Sequence, residues 1–406
     1  MKKAIVLGGT YPHRHLIKRL KDRGYYTILV DYYESPIAKE VADEHIQAST
    51  LDKEAVLQIA RDKEVDLVIT TCVDQANVTA CYVAEKLELP HPYSYETALN
   101  VTDKEAMKRI MIENEIPTAR HYKISSLNEF DPVCLTYPLI VKPADSNSSK
   151  GVRKIEKYDV TAKEYISMAL EISRNGAAII EEFKNGKEIG VDCMIVNHKA
   201  YVIMTRERRK IQSNSDGIQQ IVGSYWPADV TPVQLENLRL IAEKIALVFG
   251  LNNTPLMMQT IVNSSDINVI EFGARIGGGE NYHIIHELTG YDIIDESINS
   301  FLGQEIGLDF HAAHEYLFDN YIYMKAGKFG EIKIDEVVKE DILYSNEYRK
   351  PGAEIGKDIS SNNRVGVFLV KALDTGTLQK KADHVIANME VFGIDGNPLM
   401  RKDIYI

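Results

Sequence analysis

The chain lacks the marks of several protein classes. Its four cysteines (Cys72, Cys81, Cys134, Cys193) lie far apart among 406 residues, with no CxxC, which argues against a disulfide scaffold and a cysteine-bound metal. No apolar run approaches the roughly 20 residues needed to span a bilayer. Met1-Lys2-Lys3 opens like a secretory leader, but Ala4–Gly9 is too short for its apolar core. Positive charge is in the minority: 47 Lys and Arg face 59 Asp and Glu, a net charge of −12. The basic excess of a dedicated nucleic-acid binder is therefore missing. There is no internal repeat and no low-complexity segment. What is present is ordinary for a globular chain, 45% hydrophobic and 26% charged residues, at a length sufficient for two to three domains. The expectation is a soluble, reduced, cytoplasmic protein that engages neither nucleic acid nor membrane.

The first hundred residues alternate short apolar runs with helical stretches. Lys3–Leu7, Tyr26–Val30 and Leu67–Thr71 read as strands, and His15–Arg23, Lys53–Lys63 and Gln75–Leu87 as helices. That alternation predicts βαβ units and a parallel sheet, with Pro90 and Pro92 marking its exit. The pattern then changes. Thr102 followed by Glu105 reads as a capping box opening a helix to Glu113. Strands are expected around Leu139–Lys142, Ala178–Glu182, Val191–Val196 and Tyr201–Thr205, the last two flanking an Asn197-His198 turn. Leu235–Phe249 is an amphipathic helix ended by Gly250. Met257–Val262 and Asn268–Phe272 read as a hairpin, and the remainder is mixed, with a strand at Val365–Val370.

Chemistry concentrates at Tyr137–Ile155. A strand delivers Lys142, Pro143 ends it, and Ser146-Asn147-Ser148-Ser149 leads to Lys150-Gly151-Val152. Small residues let backbone N–H groups approach phosphate oxygens, and flanking cations balance their charge. Lys142, Lys150, Arg153 and Lys154 against Asp145 make a local charge of +3 in an acidic chain, which fits a small polyanion. A solvated hairpin is the plainer alternative. The Walker pattern GxxxxGK[ST] is absent. Farther on, Arg206, Arg208, Arg209 and Lys210 against Glu207 form a second basic cluster, either a substrate clamp or a charged turn, with Arg206 the first choice.

The Lys142 segment resembles the nucleotide-covering loop of the ATP-grasp superfamily, and four further motifs follow that family's order. Thr102-Asp103-Lys104 resembles its "DK" element, whose lysine is a second phosphate contact. Ala178–Phe183 (AIIEEF) resembles the hinge that receives adenine, implying Glu181, Glu182 and Phe183 at the adenine edge. Glu188 falls where a glutamate holds the ribose. Asn268–Gly279 (NVIEFGARIGGG) resembles the "EINxRxGG" signature, implying Glu271 as a metal ligand and Arg275 beside the transferred phosphoryl group. The resemblance implies a mixed α/β (α+β) ATP-grasp architecture. Its parts are an N-terminal parallel βαβ domain (1–95), a two-lobed ATP-grasp domain (96–305) with a mobile lid at about 115–183, and a mixed C-terminal domain (306–406). It implies ATP, with Ser146, Ser148, Ser149, Lys150, Gly151 and Val152 in the covering loop. It also implies Mg²⁺, for which Mn²⁺ can substitute. The reaction implied is ligation of a small carboxylate, an amino acid, to an amine through an acylphosphate with release of ADP, with Lys142 and Arg275 as catalytic residues. Arg206, Arg208, Gly277, Gly278 and His283 are the substrate candidates, and a homodimer is left open.

Two positions depart from the family pattern. Where it holds metal with two acidic residues and an asparagine, this chain has Gln259, Glu271 and Gly273. A Gln oxygen still suits Mg²⁺ but brings no charge. The departures keep a nucleotide sensor without turnover in view. A biotin-dependent carboxylase shares the motifs, although no "MKM" segment is present, and a nicotinamide oxidoreductase rests only on Leu7-Gly8-Gly9-Thr10 and Asp31.

Overall fold

The computed structural model describes residues 1–145, 151–211, 219–357 and 363–405. Lys3–Leu7, Tyr26–Asp31 and Leu67–Ile69 form the expected parallel sheet, with helices Tyr11–Asp22, Lys53–Lys63 and Asp74–Leu87 around it. Lys3–Leu7 lies between its neighbours, and Ala4 to Leu7 are fully buried, as a strand covered on both faces requires. A fourth parallel strand, Glu44–Gln47, lies at the edge. Its sequence, EHIQ, is short and polar, so no apolar run announces it.

Residues 121–182 build a small lobe of their own. Its antiparallel sheet runs His121–Ile124, Ala178–Glu182, Leu139–Pro143, Arg153–Ile155, and helix Val160–Ile172 covers it. Leu139, Val141, Ile166 and Ile180 form the centre of a core separate from the rest of the molecule.

The largest sheet has eight strands, in the order Ile267–Gly273, Thr254–Val262, Lys187–Val196, Lys199–Lys210, Ile221–Trp226, Tyr316–Tyr323, Arg364–Ala372, Tyr344–Glu347. Its last three strands come from beyond residue 306, so one sheet runs across the domain boundary expected there. Asn197 and His198 both have positive φ (53° and 61°), the geometry that suits a two-residue hairpin turn.

Two local expectations are corrected. Helix Lys104–Glu113 is capped by Asp103, which accepts from the Ala106 N–H, not by Thr102. Alanine at the third helical position has no side chain to complete a capping box. The strands expected over Val191–Val196 and Tyr201–Thr205 extend to Lys187–Val196 and Lys199–Lys210. The second basic cluster is therefore strand, not turn, because its alternating side chains find carboxylates on the neighbouring strand.

Candidate active site

A cavity of about 470 Å³ lies between the small lobe, the eight-stranded sheet and the first domain. Nine lysines and arginines and five carboxylates line it, so the wall carries a net positive charge inside an acidic chain. Such a cleft concentrates anions.

The small lobe contributes Lys142 from the end of its strand, and helix Lys104–Glu113 contributes Lys104 and Lys108. Residues four apart on a helix share a face, so Lys108 looks the same way as Lys104. Lys108 belongs to none of the motifs singled out above, although its spacing from Lys104 is visible in the sequence. Lys142 and Lys108 are both buried and meet one carboxylate: Glu181 lies 2.7 Å from the first ammonium and 2.9 Å from the second. Burial alone would raise the Glu181 carboxyl, but the two lysines hold it down at about 2. Glu181 lines the cavity with its side chain held by these two cations. The backbone N–H groups of Glu182 and Phe183 are likewise engaged, donating to the Arg120 and Pro138 carbonyls. Both residues line the cavity, as does Val152.

Glu271 and Gln259 are direct partners across the antiparallel ladder, an arrangement that places two side chains within about 5.5 Å at Cβ. Burial favours the neutral acid at Glu271, but Lys104, Lys142, Arg208 and Arg275 outweigh it and keep the carboxyl below its ordinary range. Lys104 stands 3.8 Å from it. Among the described residues no cluster of three His, Cys, Asp or Glu side chains forms a metal cage. One ionised carboxylate beside one amide oxygen fits an ion that takes its remaining ligands from phosphate and water, as Mg²⁺ does.

Strand periodicity organises the second basic cluster. Arg206, Arg208 and Lys210 point into the cavity, while Arg209 turns to the opposite face, 4.3 Å from the Phe318 ring centre. Arg208 bridges Glu188 and Gln259, at 3.2 Å each, and Lys210 holds the other Glu188 oxygen at 2.8 Å. Burial raises the Glu188 carboxyl, and these two cations bring it below its usual value. Arg206 is buried, ion-paired with Asp192 and placed over the Trp226 ring. Gly190 makes room for it, since a Cβ there would lie 2.7 Å from its Nε.

Arg275 reaches the cavity in the grip of a residue the sequence did not single out. Asp74 receives its Nε and Nη2 at 2.8 and 2.7 Å across 201 residues of chain. This accounts for Gly273: a Cβ there would stand 2.8 Å from the Asp74 carboxylate. The departure from asparagine leaves space for an anion brought by the first domain.

Other candidates fall outside. Gly278 lines the cavity, but Gly277 and His283 do not. A Cβ on Gly277 would overlap the Asn281 amide, and the His283 ring packs 4.6 Å from the ring of Tyr344. Gly151 (φ 74°) is a buried turn residue that is not among those lining the cavity. Ser146, Ser148, Ser149 and Lys150 lie outside the described residues. The Gly8-Gly9 turn gives no cradle for a dinucleotide, because the space a Cβ on Gly8 would take is filled by the buried His13 ring at 2.7 Å.

Residues 135–282 match the family model of the ATP-grasp domain. Among solved structures the chain is similar to an L-amino acid ligase from Bacillus licheniformis, with a TM-score of 0.82, 17% identity, and coverage of 97% of this chain and 99% of that one. It is similar over 97% of its length to phosphoribosylglycinamide synthetase from Anaerococcus prevotii (TM-score 0.75, 22% identity, 99% of that chain). The same share matches N5-carboxyaminoimidazole ribonucleotide synthetase from Thermotoga maritima (TM-score 0.74, 19% identity, 100% of that chain). At these identities the likeness is one of fold. No helix among the described residues is long and apolar enough to cross a membrane.

Proposed function

We propose that this chain, which carries an ATP-grasp domain, is a cytoplasmic ligase that activates a small carboxylate, an amino acid, with ATP and joins it to an amine. The observation that carries this reading is one cavity holding Lys104, Lys142, Glu271 and Arg275 between a small lobe and a large sheet. Lys104, Lys142 and the Glu271–Arg275 segment lie far apart in sequence, so their meeting is a consequence of the fold.

In this reading Lys142 and Lys104 hold the nucleotide phosphates and residues of about 115–183 close over them. Glu271 and Gln259 would hold Mg²⁺, whose contribution is to neutralise phosphate charge. A carboxylate oxygen attacks the γ-phosphorus, the bond to the β-phosphate oxygen breaks, and ADP leaves with an acylphosphate formed. The amine nitrogen then attacks the acyl carbon, the carbon–oxygen bond to phosphate breaks, and one N–H proton is lost as the amide forms. The protein's part is to position the reactants and offset charge. Arg275, fixed by Asp74 and the Ile276 carbonyl, would bring its positive charge to the transferred group.

The test is chromatography of the spent nucleotide after incubation with Mg²⁺ and the twenty amino acids, with hydroxylamine as a trap. ADP, phosphate and an amino-acid hydroxamate are expected. AMP and pyrophosphate as stoichiometric products would refute the acylphosphate route.

A further inference from the structure

The face of the eight-stranded sheet turned away from the cavity holds two polar side chains without partners among the described residues. Arg209, Gly223 and Asn320 are successive partners across three neighbouring strands, so they lie in one row on one face. Phe318, on that same face, packs with Leu378, Ala382 and Val385 of helix Thr375–Ala387. Asn320 is fully buried, and neither its amide nitrogen nor its amide oxygen has a hydrogen-bond partner. The Nη1 of Arg209 is buried and unpartnered as well. Gly223 puts no side chain between the two. The strands approach so closely there that a Cβ would overlap the Asp319 carbonyl oxygen.

Rings hold the Arg209 guanidinium, and no acid neutralises it. Its carbon lies 4.3 Å from the centre of the Phe318 ring and 5.4 Å from that of Tyr225. Phe318 stands two residues before Asn320 on one strand, so Arg209 has crossed Gly223 to reach that strand. The two acids whose charges act on it are engaged elsewhere. Asp319 accepts from Trp226 Nε1 at 2.6 Å, and Asp383 accepts from Gln379 Nε2 at 2.7 Å. Burial accordingly pushes the guanidinium below its ordinary value. A desolvated charge without a counter-charge is costly. Water alone would satisfy the polar atoms and leave that charge in place. A small anion removes it by accepting from Arg209 Nη1 and Asn320 Nδ2. One water then donates a proton to the ion and the other to Asn320 Oδ1. Arg209 also borders a cleft of about 850 Å³, lined by Lys154, Lys157 and Lys187 as well, through which an anion can reach it.

We propose that Arg209 and Asn320 form a site for a small monovalent anion of the halide class, on the face of the sheet opposite the cavity. One positive charge and two donor nitrogens suit a single-charged ion and leave most oxygens of a sulfate or phosphate without donors. The site stands apart from the ligase reading and survives its failure. It lies back to back with the cavity wall, because Arg208 and Lys210, the strand neighbours of Arg209, point to the other side.

The experiment follows thermal unfolding of wild type, Arg209→Met and Asn320→Leu as sodium gluconate is replaced by sodium chloride at constant ionic strength. The chloride NMR line width is measured on the same samples. Wild type should gain a few degrees in Tm, with saturation, as binding to the folded state alone requires. It should also broaden the chloride signal beyond either variant. Arg209→Met should be at least as stable as wild type in gluconate, because the uncompensated charge is gone, and should lose the chloride gain. Asn320→Leu should raise the chloride concentration needed for half the gain by about tenfold. A wild-type Tm indifferent to chloride would mean that water alone fills the site, and overturns the proposal. A chloride gain kept in full by Arg209→Met places the ion elsewhere, the nucleotide cavity included, and overturns it too. Should Arg209→Met fail to fold, Arg209→Lys keeps the charge and loses the forked donors. Its half-gain concentration should rise, and an unchanged value overturns the proposal.

Discussion

Among the described residues, each cation at the Glu271 end of the cavity stands beside a carboxylate, whereas Arg364 at the Tyr321 end forms no ion pair. Paired cations are held ready for a ligand that arrives with several charges and its own counter-ion. Arg364 is instead held by neutral groups, the Tyr323 hydroxyl and the Ile221 carbonyl, over the Tyr321 ring. The first end is assembled from residues embedded in recognisable local motifs. The second is assembled where a strand from beyond residue 306 joins the sheet.

The strongest way to disturb the first end is to remove its central anion. Glu181→Gln leaves Lys142 and Lys108 buried without a neutraliser, and loss of one partner from a buried pair costs about 3–5 kcal/mol. Denaturant unfolding of the variant should show that loss; stability equal to wild type would mean the three groups do not act together. The same carboxylate sets an acid limit. Its folded value of about 2 lies below the free value of 4.5, so ionisation favours the folded state. That stabilisation, about 3 kcal/mol, is full above pH 4.5 and disappears as the pH falls toward 2. Unfolding followed between pH 5 and 2 should show a slope in wild type that is reduced in Glu181→Gln.

Metal dependence sharpens the contrast next. Glu271→Gln removes the ionised oxygen donor and should lower ADP formation by about a hundredfold or more at any Mg²⁺ concentration, whereas Gln259→Glu should reduce the Mg²⁺ needed. Wild-type turnover in Glu271→Gln throughout a Mg²⁺ titration would place the metal elsewhere. A smaller effect is expected where the first domain meets the site. Asp74→Asn should cost roughly tenfold in kcat by loosening Arg275. Restoring asparagine at position 273 should not raise activity, because its Cβ would crowd the Asp74 carboxylate. A gain in kcat from Gly273→Asn alone would break that link.

Much of this was legible in the sequence. The buried strands of the first domain are continuous apolar runs, and the expected parallel sheet is present. Lys104, Lys142, Glu271 and Arg275 sit in local patterns that survive at low sequence similarity. Lys108 was legible too, one helical turn beyond Lys104, and was passed over because a surface lysine is the common case on an amphipathic helix. Asp74 and Arg364 were not legible. The first opens a helix like any capping-region acid, and its partner is 201 residues away. The second precedes an apolar strand and gains its meaning only from Tyr321 and Tyr323 on the adjacent strand. Pairings set by sheet register leave no local mark.

The most direct test of the site is calorimetric titration of ATP into wild type and Lys142→Met, with circular dichroism confirming that both are folded. Removing one charge-assisted phosphate contact should weaken binding by about tenfold to a hundredfold. ATP affinity in Lys142→Met equal to that of the wild type would contradict the assignment of this cavity as the nucleotide site.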